Sequence, residues 1–336
     1  MSSTRLKRRR RVSILALLVL GIVLLWRGGT TSPLTAYELE VMEWRARFEA
    51  NMRKTDGYLA ITGMFELRDG EFQFGSNPDC AFQVTDAPGN SVPPVIGTFT
   101  HGAGKTSFQP ADDVAITDSE GNAVTGSTAM ELGSLDRRAT LLSSGSLSWV
   151  VIRRGLNAED ADGGLDLLPV SLRESTGERY YLRVWDARNP VLETVESPAY
   201  FPIDPAWRFE GEFRRFDEPK SLYQKNVQGL VDKSLSTGVV VFTKDGVEYS
   251  LDTADEGNNL FIVFGDETTG AGTYGGGRFL DVAKPMEGNA IIVDFNKTRN
   301  PWCAYSEYTT CALPTENNML PFPVRVGARP PEASHR

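Results

Sequence analysis

Between residues 260 and 318, acidic, basic and amide side chains sit at the ends of apolar runs, where a carboxylate leaving water needs a partner. Asp266 follows the run Leu-Phe-Ile-Val-Phe at 260–264, and Asp294 interrupts Ala-Ile-Ile-Val-Asp-Phe at 290–295. Arg278 follows Gly275, Gly276 and Gly277, which carry no side chain to keep a ligand or a second strand from the backbone. These types permit a polar pocket in which Tyr274, Arg278 and the Gly275–Gly277 amides hold an anionic group. Asn296 and Asn300 would be further contacts, and Asp266 or Asp294 would act as acid or base once burial raises its pKa. The same residues admit a structural reading. Arg278 would then pair with Asp266, Asp281 or Asp294, the glycines would form a bulge or tight turn, and Asn296 and Asn300-Pro301 would be turn formers.

Composition narrows the chemistry further. The 336 residues hold 2 His, and the second is penultimate, so His101 is the one imidazole available as a base. A multi-His metal centre is excluded, and a Ser-His-Asp triad has little to draw on. His101 lies in Thr-His-Gly-Ala-Gly-Lys at 100–105, which lacks P-loop spacing and reads as a solvated turn. Asp266, Asp281, Asp294 and Asn296 offer oxygen ligands for a divalent cation, yet no Asp-x-Asp-x-Asp-Gly loop organises them, and no metal or other cofactor is expected.

Location follows from the N-terminus. Residues 1–11 carry six basic side chains and no acid, so the rest of the chain holds 29 Lys+Arg against 44 Asp+Glu. Such an acidic body has no electrostatic footprint for nucleic acid. Val12 to Trp26 contains no charge and is followed by Arg27. Cations on one side of an apolar run place residues 1–11 in the cytoplasm, residues 12–27 in the membrane as a single-pass signal anchor, and everything after 27 outside the cytoplasm. The run is short enough for a cleavable signal, but Trp26-Arg27 offers no small-residue cleavage site. In an oxidising compartment Cys303 and Cys311, eight apart, are spaced for a local disulfide, leaving Cys80 unpaired.

The exported body reads as mainly β. Thr35 and Glu38 form a capping box, and Tyr37, Val41, Trp44, Phe48 and Met52 step at helical spacing, so 35–55 is an amphipathic helix. Short β-type runs punctuated by Gly, Pro, Asn and Asp then continue to 327, with Lys244-Asp-Gly246 a hairpin signal. Strands are expected at 58–64, 71–75, 80–84, 95–100, 147–153, 180–186, 207–213, 238–243, 247–251, 260–264, 277–281, 290–295 and 323–327. A polar, Pro-bounded link at 188–198 divides the body into domains at 58–187 and 198–328, followed by a tail at 329–336.

Two family resemblances sit on these segments. The stretch from Leu67 to Val84, with Asp69-Gly70, Phe74-Gly75 and Asn77-Pro-Asp-Cys80, resembles the opening of a forkhead-associated domain, which implies a β-sandwich at 58–187 and phosphothreonine reading. Ser76 stands where that family's arginine grips phosphate, so the charge-assisted contact is missing. A broader set resembles the bacterial family called domain of unknown function one-six-eight-four, over about 37–328. Its residues are Trp44-Arg45-x-Arg47, Asp56-Gly-Tyr-Leu59, Phe74-Gly-Ser76, Phe201-Pro-Ile-Asp-Pro-x-Trp-Arg208, Phe261-Ile-x-Phe264-x-Asp266, Thr273-Tyr274-x-x-Gly277-Arg-Phe-Leu280, Asp294-Phe-Asn296, Asn300-Pro-x-Cys-Ala304, Cys311-x-Leu-Pro314 and Asn318. That resemblance implies membership and no activity.

The expectation is a membrane-anchored, extracytoplasmic module, with a forkhead-associated-like sandwich and a second β-rich barrel or sandwich that holds a small polar or anionic ligand. Two alternatives stand beside it. One is a hydrolase-type enzyme using Asp266 and Asp294 with Arg278, and the other a protein-interaction module working through the first domain.

Overall fold

The computed structural model describes residues 33–85, 92–133, 138–156, 172 and 177–332. The expected stub at 1–11, the anchor at 12–27 and the end of the tail lie outside the described residues. Among the described residues no helix is long and apolar enough to cross a membrane. The chain divides into two compact units, 1–39 and 40–336.

In the first unit the capping box forms as the sequence predicts. The Glu38 N–H donates to Thr35 Oγ1 at 3.1 Å, and the Thr35 N–H donates to Glu38 Oε2 at 2.7 Å. These contacts satisfy helix-start donors that would otherwise be orphaned. They open helix α1, Ala36–Met52. In the second unit Val41, Phe48 and Met52 of its apolar stripe are buried.

Ten strands of the second unit build two five-stranded sheets about one core. One sheet runs β1 (Ile61–Leu67), β10 (Gly177–Asp186), β9 (Leu147–Leu156), β8 (Leu142–Ser144), β6 (Thr117–Asp118). The other runs β3 (Phe82–Gln83), β2 (Gly70–Gly75), β4 (Gly97–Gly102), β5 (Lys105–Pro110), β7 (Thr128–Ala129). Phe74, Phe99 and Phe108 of the second sheet meet Trp149, Leu182 and Val184 of the first in a continuous apolar cluster. His101 is part of strand β4 and buried, with Nδ1 2.7 Å from Thr106 Oγ1, so the solvated turn expected there is incorrect. Pairing with β2 and β5 claimed the His-Gly dipeptide for the sheet, and the turn lies beyond it at Ala103 and Gly104, both at positive φ.

A second pair of sheets carries most of the candidate site residues. Strands β13 (Val247–Asp252), β12 (Val231–Lys244), β11 (Arg208–Lys225) and β17 (Ala290–Asp294) form one. Strands β14 (Ala254–Glu256), β15 (Asn259–Asp266) and β16 (Arg278–Ala283) form the other, with β18 (Met319–Leu320) parallel to β15. Phe213, Val240, Phe242, Ile262, Phe264, Leu280, Val293 and Phe295 fill the space between them. The hairpin at 244–247 forms as expected, with Asp245 and Gly246 both at positive φ.

Two further expectations fail for physical reasons. Strand β11 extends to Lys225, well past the expected end at Phe213, because pairing with β12 carries a charged stretch that shows no period of its own. The register shifts between Arg215 and Lys220, a bulge that accommodates Pro219, whose nitrogen has no proton to give. Residues 323–327 alternate like a strand, with Val324 and Val326 buried and Arg325 exposed, yet no strand forms there. Their carbonyls serve an arginine instead.

Candidate functional site

That arginine is Arg278, the first residue of β16. It enters the core because β16 pairs with β15 in a register that sets Arg278 opposite Phe264, two residues before Asp266. Arg278 is 1% exposed and Asp266 4%. Their Nη2 and Oδ2 lie 2.8 Å apart. Arg278 also donates through Nη1 to the Val326 carbonyl at 2.6 Å and through Nη2 to the Val324 carbonyl at 2.7 Å. Asp266 Oδ1 accepts from the Thr268 N–H at 2.7 Å, the Thr268 hydroxyl at 2.5 Å and the Val324 N–H at 3.2 Å. Burial pulls the Arg278 pKa down, and the adjacent Asp266 opposes it. A guanidinium and a carboxylate taken out of water remain charged only when so many bonds compensate them. The pair pins the C-terminal segment to β15 and β16, which realises the structural reading of these residues.

The glycines belong to the same turn. Gly277 sits at φ +81°, and a Cβ there would meet the Phe264 carbonyl at 2.7 Å and Pro314 Cγ at 2.7 Å. Strand β16 therefore starts where only glycine fits. Gly275 and Gly276 have φ outside that left-handed range. Tyr274 turns away from Arg278 toward Cys303, its hydroxyl donating to the Cys303 carbonyl at 3.3 Å, and burial pushes its pKa up.

Asp294 and Asn296 form a second local cluster at the end of β17. Asp294 Oδ1 accepts from the Asn296 N–H at 3.1 Å and from Asn296 Nδ2 at 3.2 Å, while Lys297 Nζ lies 3.6 Å from Asp294 Oδ2. Asn296 exchanges two bonds with the Asp204 backbone, so it clasps the start of β11. Asp266 and Asp294 each serve their own network. Three concavities of the described surface have walls around Tyr305, Met286 and Tyr223, and none of those walls includes Asp266, Tyr274, Arg278 or Asp294.

Of the expected ligand contacts, Asn300 bonds a residue that lines a cleft, Tyr305. Asn300 is fully buried and donates through Nδ2 to the Tyr305 hydroxyl at 3.1 Å and to the Arg329 carbonyl at 2.7 Å. Its Oδ1 is buried with no hydrogen-bond partner among the described residues. Tyr305 forms part of the wall of a cleft of about 430 Å³, together with Val195, Ser197, Pro198, Ala199 and Pro331. Tyr200, next in the chain, packs its ring under the Arg45 guanidinium at 4.2 Å, and its buried hydroxyl also finds no partner among the described residues. Burial pushes the Tyr305 pKa up to about 12 and raises that of Tyr200, with Glu49 of α1 facing both phenols. Unpartnered buried polar atoms are uncommon in proteins and call for an explanation. The glutamates Glu196 and Glu332 share the wall of the cleft, so its charge favours a neutral or cationic polar guest over an anion. Sequence reading missed Tyr200 and Tyr305, because a tyrosine in a Pro-bounded link and one in a Cys-rich loop carry no pattern of their own.

Comparison with known proteins covers the same half of the molecule. A family model described as protein of unknown function (DUF1684) matches residues 194–329. The motifs at Trp44, Asp56 and Phe74 lie outside that match. The solution NMR structure of an uncharacterized protein from Haloarcula marismortui is 31% identical, over 41% of this chain and 78% of that chain, with a TM-score of 0.35. No curated protein matches the chain.

Proposed function

Since the chain belongs to the family of unknown function DUF1684, we propose its function from its own geometry: a membrane-anchored, extracytoplasmic binding module that holds a small polar molecule in the cleft beside Tyr305. The basic residues 1–11 followed by the uncharged run from Val12 to Trp26 support the anchor. One observation carries the binding reading. Asn300 Oδ1 and the Tyr200 hydroxyl, a buried acceptor and a buried donor, lack partners among the described residues; Asn300 bonds the wall residue Tyr305 through its Nδ2, and Tyr200 follows the wall residue Ala199 in the chain. A ligand that bonds to them would recover the desolvation each incurs, about 1–3 kcal/mol per group. A concave, largely apolar site with a few convergent polar groups is the usual form of a small-molecule site.

A hydrolytic role for Asp266 with Arg278 has less support. A general acid or base must reach its substrate, and these two groups are held by each other, by Thr268 and by the backbone of residues 324–326.

The test is a thermal-shift titration of the purified chain against neutral, cationic and anionic polar molecules. Tyr200→Phe and Asn300→Ala are run in parallel. The reading expects a saturable rise in Tm with a neutral or cationic compound, weakened in Tyr200→Phe and lost in Asn300→Ala. A shift that both variants retain would place the ligand elsewhere.

A further inference from the structure

The thiols of Cys303 and Cys311 neighbour each other at the junction of the two sheet pairs, and both are free in this structure. Cys303 belongs to a single turn at Trp302–Ala304 and is partly exposed, whereas Cys311 is 5% exposed. The Cys303 N–H donates to Cys311 Sγ at 3.2 Å, and the Tyr274 hydroxyl lies 3.7 Å from Cys303 Sγ. The backbone on both sides is fixed. Trp302 stacks between Tyr58 and Phe48 at ring distances of 5.3 and 5.4 Å. The carbonyl of Cys311 accepts from the Val227 N–H at 3.0 Å. Within electrostatic reach of Cys311 is Arg183 of β10, a buried guanidinium that forms no ion pair with a carboxylate among the described residues. A buried cation without a carboxylate calls for another anion. Burial and the like charge of Arg154 pull its pKa down, and Tyr58 and then Cys311 oppose them.

We propose that Cys303 and Cys311 form a reversible dithiol–disulfide pair, oxidised by exchange with a small-molecule disulfide, in which the partly exposed Cys303 meets the oxidant and the buried Cys311 resolves it. The Cys303 thiol, donating to Cys311, is the largest influence holding Cys311 down to about 7, and the Cys303 N–H and the Thr309 hydroxyl assist. The same hydrogen bond, together with burial, raises Cys303. Cys303 therefore holds the proton of the pair, and its passage to Cys311 frees a Cys303 thiolate at the partly exposed position. That thiolate attacks one sulfur of the donor disulfide; the donor S–S bond breaks, and the first leaving thiolate takes up a proton. Cys311 then gives up its proton, and its thiolate attacks Cys303 Sγ. The Cys303–Cys311 bond forms, the mixed disulfide breaks, and the second leaving thiolate is protonated. One protein thiol and one protein thiolate are oxidised to a disulfide, and the donor disulfide is reduced to two thiols, one proton coming from the cysteine pair and one from water. Cys80, buried in the first sheet pair with its pKa raised by burial, provides an internal reference.

The experiment treats the reduced full chain with oxidised glutathione, traps remaining thiols by alkylation and reads the peptides by mass spectrometry. The proposal expects a Cys303–Cys311 bridge that dithiothreitol reverses, forming at least about tenfold faster than any modification of Cys80. In Cys311→Ser the glutathione adduct should accumulate on Cys303, and Arg183→Met should slow bridge formation in the wild-type cysteine background. Circular dichroism verifies that each variant is folded. Cys303 and Cys311 that stay as alkylatable as Cys80, or a folded Cys311→Ser chain without the adduct, would overturn it.

Discussion

At the scale of single residues, Asp266 and Arg278 show how much a side chain's neighbours decide. Their types and their positions after apolar strands are legible in the sequence, and so is the need for a partner. The sequence left Asp281 and Asp294 open as alternatives, and the register of β15 and β16 selects Asp266. Asp281 instead faces Arg299, at 3.2 Å from Oδ2 to Nε. Arg278→Met should cost about 3–5 kcal/mol in urea unfolding, because it leaves Asp266 buried and uncompensated. The double variant Asp266→Leu with Arg278→Met should recover part of that loss. If Arg278→Met unfolds at the wild-type urea midpoint, the pair is not structural. Tyr200→Phe should act in the opposite direction, leaving stability unchanged or raising it by about 1 kcal/mol, since it removes a buried hydroxyl without a partner. A residue that can be stabilised by deletion of a polar atom is better explained by binding than by folding.

At the scale of elements, patterns that repeat were readable and those set by long-range pairing were not. Helix α1 announced itself through Thr35, Glu38 and the stripe at Val41, Phe48 and Met52. Thr35→Ala should lower helix stability by about 1 kcal/mol, measurable by amide exchange in the first turn of α1. The far half of β11 was hidden, since a run of charge has no period until β12 lies beside it. Residues 323–327 misled in the other direction: alternation of Val324 and Val326 reflects burial, whereas a strand also needs a neighbouring backbone, and Arg278 holds those carbonyls instead. Gly277 was legible as a special backbone position, open either to the approach of a ligand or to a tight turn. Its positive φ and the 2.7 Å approach to the Phe264 carbonyl make it a turn requirement. Gly277→Ala should therefore destabilise the second sheet pair by more than about 1 kcal/mol, visible as a lower urea midpoint without any ligand present.

At the scale of the whole molecule, the acidic body, the β architecture and the family were accessible from composition and motifs. The cleft was not, because its wall joins residues 191–199 to Tyr305, Pro331 and Glu332 across more than a hundred positions of chain. Buried phenols make stability depend on alkaline pH. Tyr305 is raised from 10.0 to about 12, and Tyr200 and Tyr274 are raised as well. In the unfolded chain these tyrosines ionise near their ordinary value, while the fold keeps them neutral. Their contribution is thus complete below about pH 10 and is lost as pH rises toward 12. Urea midpoints should fall steeply across that window, and Tyr305→Phe should flatten the fall. Central to the account is the cleft as the binding site, with Asp266 and Arg278 as scaffold. Soaking crystals of the protein with a library of small polar molecules tests it most directly. The account predicts density in the cleft beside Tyr305, bonded to Asn300 Oδ1 or the Tyr200 hydroxyl. Density confined to the surroundings of Asp266 and Arg278, with the cleft empty, would contradict it.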